Sequence, residues 1–460
     1  MNQKSLSTAL AHPRKACVPS GRLLGHLGAL RNQPLPTVMA MMNRGEDLAR
    51  LRVGVQSMFL LYHPEHIRTV LMDDQRRFVK TTRGYEKLRI LLGNGLVTSE
   101  GDFWLRQRRI AQPAFRKKCI DGFARTMQTA ADDLCERWRS AASARRPIDM
   151  VEAMNLVTLR IAGETLMSVD MTNEGRIVGD AMALVMERFN HIVAKPIPWP
   201  EYWPTVQNYR LWRAIFALRD ITDGIIHTRR KSGAEVADLL GMFMSATDPE
   251  TGESMNDRQL RDEVLTMLLA GHETTANALV WALYLISRHP EVAHRLHQEL
   301  DEVLGQDTLS LRHLRQLTYL RQVIKETLRL YPPVWIVGRQ AVCRTEIGGY
   351  DIPKGSYLMM SPYAMHRHPR YWENPEAFDP NRFASDAEEP DRFVYFPFIR
   401  GRRQCIGDRF AEMELTILLA NLCRRFRFTL LPGQDIQLDP SVTLRPDRPV
   451  SMTLSVRTVR

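Results

Sequence analysis

Phe398 to Gly407 reads Phe-Ile-Arg-Gly-Arg-Arg-Gln-Cys-Ile-Gly, one cysteine framed by glycines, arginines and an aromatic, and an apolar helical stretch follows from Asp408 to Cys423. Such an arrangement suits a metal-bound thiolate. A free thiol has a pKa of about 8.5, so a thiolate at neutral pH needs positive charge or amide donors nearby. Arg403, the start of the following helix and the adjacent amides are placed to supply them. Gly401 permits a turn that a side chain would resist, and Gly407 allows close backbone approach to a flat ligand. Phe398 can pack beside the sulfur and exclude water. The competing reading is a buried, inert cysteine, the usual fate of an isolated one.

A second constellation, Ala270-Gly271-His272-Glu273-Thr274-Thr275, interrupts an otherwise apolar helical pattern. Gly costs up to about 1 kcal/mol relative to Ala inside a helix, and Thr can draw a carbonyl from the hydrogen-bond ladder. The helix is expected to widen there and admit a small ligand and water. Glu273 and Thr274 taken alone also suit a solvated polar patch, and His272 a structural role. Glu326 and Arg329 stand three apart on a predicted helix, where an ion pair forms readily and carries little information. Trp104 and Arg108 share a helix face at i and i+4.

The elements that must position these residues follow from periodicity. The first hundred residues mix Pro, Gly and short apolar runs such as Leu51 to Leu61, predicting strands and short helices. Apolar residues then recur at three- and four-residue spacing from Asp102 to about Arg146 and from Met150 to Asn190, as amphipathic helices require. Pro196, Pro198, Pro200 and Pro204 break the pattern with a stiff loop carrying Trp199, Tyr202 and Trp203. Helices resume near Gln207 to Lys231 and Glu235 to Ser245. Asp257 to Ser287 forms one helix of about 30 residues, or about 45 Å, apolar on nearly every face in its second half and so central. Helices at Pro290 to Leu304 and Tyr319 to Leu330 follow, then short sheet from Val334 to Met360 and an irregular stretch from Ser361 to Pro397.

Composition sets the frame. A chain of 460 residues with 44% hydrophobic and 25% charged content is an ordinary globular protein. Cys17, Cys119, Cys135, Cys343, Cys405 and Cys423 show no paired spacing, which argues against a disulfide framework or zinc cluster and for a reducing compartment. The amino terminus lacks the apolar run of a signal peptide or anchor, and no stretch is long enough to span a bilayer, so a cytoplasmic location is expected. A net charge of +11 is compatible with nucleic acid, an anionic membrane surface or an acidic protein. No nucleic-acid-binding signature stands out.

The cysteine segment resembles the haem-binding signature of the cytochrome P-450 family at every fixed position: Phe398, Gly401, Arg403, Cys405 and Gly407. Ala270 to Thr275 resembles the family's oxygen-binding motif, and Phe378-Asp379-Pro380-Asn381-Arg382-Phe383 its aromatic-Pro-Arg-Phe segment. The resemblance runs from about Trp104 to Gly407. It implies a mainly α (α+β) fold of 1–460 as a single domain, with a β-rich lobe mostly within 30–100 and 334–360 and a helical haem-binding body over 102–430. It implies haem b (iron protoporphyrin IX) with Cys405 as axial ligand, and Trp104, Arg108, Arg339 and Arg403 at its propionates. Thr274 would lie beside bound dioxygen and Glu273 behind it in a proton relay. Glu326, Arg329 and Arg382 would hold the cysteine loop in register.

The implied activity is monooxygenation, placing one oxygen atom of O₂ into an apolar terpenoid, steroid or fatty-acyl substrate. Tyr85 to Val97, Phe189 to Trp203, Ala270, Thr274 and Val334 to Val337 would line its pocket. About 50 residues follow Gly407, too few for a reductase domain, so electrons are expected from a ferredoxin or flavodoxin-type donor with its own reductase, and the protein is expected to be a monomer. Arg106, Arg109, Arg116, Lys117, Lys118, Arg400, Arg402 and Arg409 would form a basic docking face. A haem-thiolate peroxygenase or isomerase, and a non-catalytic haem sensor, stay open as alternatives.

Overall fold

The computed structural model describes residues 25–73, 76–169, 203–233 and 236–457, with scattered positions between 178 and 188. The proline loop at 189–202, the far end of the helix drawn to Asn190 and Cys17 lie outside the described residues.

The central helix, Asp257–Arg288, begins at a capping box in which Asn256 and Gln259 satisfy each other's backbone amides. It is about 48 Å long, and its side chains are buried on nearly all faces from Leu260 to Ile286. It packs most extensively on Met150–Met167 and also meets Val206–Ser232, Thr318–Leu330 and Asp408–Arg425. The expected widening at Ala270 to Thr275 does not occur. The α-helix runs unbroken, and Thr274 Oγ1 donates to the Ala270 carbonyl at 2.6 Å. The room comes instead from missing side chains, since nothing lies within 4 Å of where a Cβ on Gly271 would stand.

In chain order the strands are β1 (Leu48–Val53), β2 (Gln56–Leu61), β3 (Phe78–Val79), β4 (Ile148–Asp149), β5 (Val337–Ala341), β6 (Thr345–Ile347), β7 (Tyr350–Ile352), β8 (Tyr357–Met360), β9 (Phe426–Leu430), β10 (Leu438–Pro440), β11 (Leu444–Pro446) and β12 (Ser451–Val456). One sheet has the order β1-β2-β8-β5-β3, with β2 and β8 parallel and the other pairs antiparallel. The parallel pair ties the first hundred residues to the segment after Val334. Smaller sheets are β4-β12-β9, β6-β7 and the β10-β11 hairpin.

Two apolar cores result. One gathers the helices. The other fills the sheet lobe and also takes in Met365, Trp372, Phe396 and Leu444, so the β-rich part reaches beyond the segments at 30–100 and 334–360. Tyr331 packs against both.

Candidate functional site

Between the cores lies a cavity of about 940 Å³ with mainly apolar walls. The cysteine loop contributes Phe398, Arg403, Cys405 and Gly407, and the central helix contributes Ala270, Gly271, Glu273 and Thr274. Trp104 and Arg108 enter from the helix Gly101–Ala111, and Arg339 from β5. Residues picked from separate sequence segments therefore share one chamber. Glu326, Arg329 and Arg382 do not line it.

The cysteine loop is folded tightly by its own backbone. The Cys405 amide donates to the Phe398 carbonyl and the Gln404 amide to Gly401, both at 3.0 Å. Gly401 sits at φ +83°, and a Cβ there would stand 2.0 Å from the Leu71 carbonyl oxygen. Gly407 is different: its φ is −97°, and an added Cβ would only touch Phe115 at 3.7 Å. Its free side faces the cavity. The Cys405 side chain is exposed, yet to this enclosed chamber rather than to the outer surface. Burial pushes its thiol up to about 11, against the Gly407 amide and the Arg108 charge, which both favour the thiolate. The polypeptide on its own thus favours a neutral thiol, with Arg108 the cation that pulls toward the thiolate.

That cationic help comes from a different arginine than expected. Arg403 turns away from the sulfur, donating to the Ser99 carbonyl at 2.9 Å, pairing with Glu100 at 2.9 Å and stacking its guanidinium 3.7 Å from the Trp104 ring centroid. Arg108 donates to the Gln404 carbonyl at 3.0 Å, next to the cysteine.

At the cavity edge Arg403 meets Arg339 and Lys80, a buried cluster of positive charge that faces Glu100. Burial and the two arginines drive the Lys80 ammonium well below its usual range, and burial brings Arg403 down to about 10. Such crowding is costly until anions arrive. A flat ligand bearing two carboxylates at one edge fits it. Among the described residues no cluster of three or more His, Cys, Asp or Glu is placed to hold a metal ion. Sequence reasoning missed Lys80, which stands just past the end of β3 and is buried although lysine rarely is.

On the central helix, Thr274 and Glu273 both open on the cavity. Glu273 Oε1 accepts from Thr443 Oγ1 at 2.6 Å. Burial raises its carboxyl above the ordinary range, while Thr443 and Arg445 pull it back. His272 is buried and driven down to about 4 by desolvation, so it stays neutral.

Glu326 and Arg329 are fully buried and paired through two contacts of 2.7 and 2.8 Å. Arg329 also donates to the carbonyls of His366, Pro375 and Ala377, the Asp379 amide donates to Glu326, and Arg382 approaches Glu326 at 3.4 Å. The irregular stretch from Ser361 to Pro397 is thereby nailed to the helix Thr318–Leu330. In the supposed docking face, Arg106 pairs with Glu253, Arg109 with Asp248 and Glu250, and Lys117 with Asp121. Arg400 is half-buried, and Arg116, Lys118, Arg402 and Arg409 remain exposed.

Comparison with known proteins agrees with this geometry. A family model described as Cytochrome P450 matches residues 17–454. The chain is 36% identical over 442 residues to cyclooctatin synthase of Streptomyces melanosporofaciens, covering 95% of each protein. It is 36% identical over 414 residues to cyclooctat-9-en-7-ol 5-monooxygenase of the same organism, covering 89% of this chain and 88% of that one. Pentalenene oxygenase of Streptomyces avermitilis is 31% identical over 456 residues, with 99% of each covered. The crystal structure of the cytochrome P450DA heme domain superposes with a TM-score of 0.88 at 28% identity, covering 96% of this chain and 97% of that one.

Proposed function

Because the chain belongs to the cytochrome P450 family, we propose that it oxygenates a cyclic terpenoid hydrocarbon or alcohol at the cavity between Cys405 and Thr274. It is a haem monooxygenase, and its cofactor is haem b. When bound, haem supplies the redox chemistry, using O₂ and two electrons to place one oxygen atom in a substrate C–H or C=C bond and release the other as water.

The observation that carries the reading is the shared chamber: a lone cysteine on one wall, an acid and alcohol pair on the other, and apolar surface between. In this reading Cys405 would hold the haem iron through its sulfur, with Arg108 and the Gly407 amide favouring the thiolate. Lys80, Arg339 and Arg403 would receive the two propionates, with Trp104 stacked on Arg403 to fix its orientation. Thr274 and Glu273 move protons into the cavity. Leu92, Leu96, Val97, Leu166, Val334 and Ile336 shape a substrate volume with few polar groups, which suits an apolar substrate. Relatives whose names specify cyclooctat-9-en-7-ol and pentalenene as substrates support this class. Electrons arrive from a separate acidic ferredoxin or flavodoxin, docking at Arg116, Lys118, Arg402 and Arg409 on a monomeric, single-domain protein.

The reading is tested by titrating the haem-loaded protein with cyclic terpenoids, steroids and fatty acids and following the Soret shift on ligand displacement. Terpenoids are expected to give the largest shifts at the lowest concentrations. Saturable shifts with fatty acids alone would overturn the substrate class.

A further inference from the structure

We propose that Thr443, on the turn between β10 and β11, is the positioning residue for Glu273, fixing this acid at the cavity wall from the carboxy-terminal hairpin. The proposal rests on the reading of Glu273 as the proton-carrying acid. A threonine hydroxyl has one hydrogen to give, and Thr443 gives it to Glu273 Oε1 at 2.6 Å. Its oxygen meanwhile accepts from Asn277 Nδ2 at 3.1 Å. Asn277 lies one turn along the central helix from Glu273, so both contacts orient the hydroxyl from the same face. Thr443 and Asn277 are each at least nine-tenths buried.

The hairpin that carries Thr443 is itself clamped. Trp281 Nε1 donates to the Leu444 carbonyl at 3.2 Å, Trp335 Nε1 to the Ser441 carbonyl at 2.9 Å, and the Leu444 amide to the Pro333 carbonyl at 2.8 Å. Its position is therefore set by the central helix and by the segment leading into β5. The Glu273 carboxyl consequently points to the hairpin and not along its own helix. The charged groups that face it, Arg445 and Asp439, both belong to the hairpin. They pair at 2.9 Å and are about one-third exposed, and Ser441 Oγ donates to Asp439 at 2.7 Å. The hairpin thus sets both the hydroxyl that holds Glu273 and the charges nearest it, Arg445 favouring its ionised form and Asp439 opposing it.

Thr443→Val keeps the shape and removes the hydroxyl, while Thr443→Ser restores it. In the haem-loaded protein, the infrared carboxyl stretch of Glu273, assigned by its loss in Glu273→Gln, reports protonation without turnover. The midpoint of that band should move to higher pH in Thr443→Val and in Arg445→Gln, and return in Thr443→Ser. Peroxide formed per substrate oxidised should rise several-fold in Thr443→Val and fall back in Thr443→Ser. If Glu273→Gln leaves peroxide at the wild-type level, the acid's role fails and the positioning role of Thr443 falls with it. If Glu273→Gln uncouples while Thr443→Val neither shifts the band nor raises peroxide, the acid stands and the hairpin assignment is wrong.

Discussion

Replacing Glu263 by Gln should flatten the pH dependence of stability. Glu263 is fully buried on the central helix, and its Oε2 accepts the Leu96 amide at 3.0 Å, while neighbouring Asp262 accepts the Asn94 amide at 2.8 Å. These carboxyls anchor the loop that carries Leu96 and Val97 over the cavity. Desolvation pushes Glu263 up to about 8, offset by the Leu96 amide and reinforced by Asp262. The folded protein therefore binds this proton more tightly than the unfolded chain, whose glutamate titrates near 4.5. The resulting stabilisation is fully present below about pH 4.5 and is lost as pH rises through about 8. Each tenfold difference in proton affinity between the folded and unfolded chain is about 1.4 kcal/mol, which makes the loss on the order of 4–5 kcal/mol. Glu263→Gln keeps an acceptor for Leu96 and carries no charge at any of these pH values. Melting temperatures of the haem-loaded proteins between about pH 5 and 9, a range that brackets the folded-state titration, should fall more steeply for wild type, so that the variant gains relative stability toward alkaline pH. Parallel curves would refute the reasoning.

Arg329→Met leaves Glu326 buried without its partner and strips three carbonyls of their donor, so unfolding in urea should cost about 3–5 kcal/mol less. Gly401→Ala cannot be relieved by a rotamer, because the clash is with the Leu71 backbone at positive φ; the purified variant should carry a much smaller haem-to-protein absorbance ratio. Lys80→Met removes one of the crowded buried cations, so the haem-free protein should melt higher while the loaded protein gives up haem faster to apomyoglobin.

What is legible in the sequence is local. Five fixed positions including Cys405 mark the loop, above all Gly401, whose left-handed turn leaves no room for a Cβ. The central helix stands out by apolar residues on every face, and Ala270 to Thr275 by being polar within it. What is not legible depends on contacts between distant segments. Arg329 acts mostly on backbone carbonyls, which leave no mark in residue types. Lys80 joins Arg339 and Arg403 only because β3 pairs with β5, and Thr443 reaches Glu273 only because the hairpin folds back on the central helix. Sequence alone points both Arg403 and Arg108 toward the propionates and sets Arg403 beside the sulfur as well. Only the fold shows that Glu100 and the Trp104 face draw Arg403 away and leave the sulfur to Arg108.

The most direct measurement is the absorption spectrum of the reduced carbon monoxide complex of the haem-loaded protein and of Cys405→Ala. Wild type should show the red-shifted Soret band of thiolate ligation, and Cys405→Ala should lack it even when haem is present. An unchanged band in Cys405→Ala, or no such band in wild type, would contradict the assignment of Cys405 to the metal.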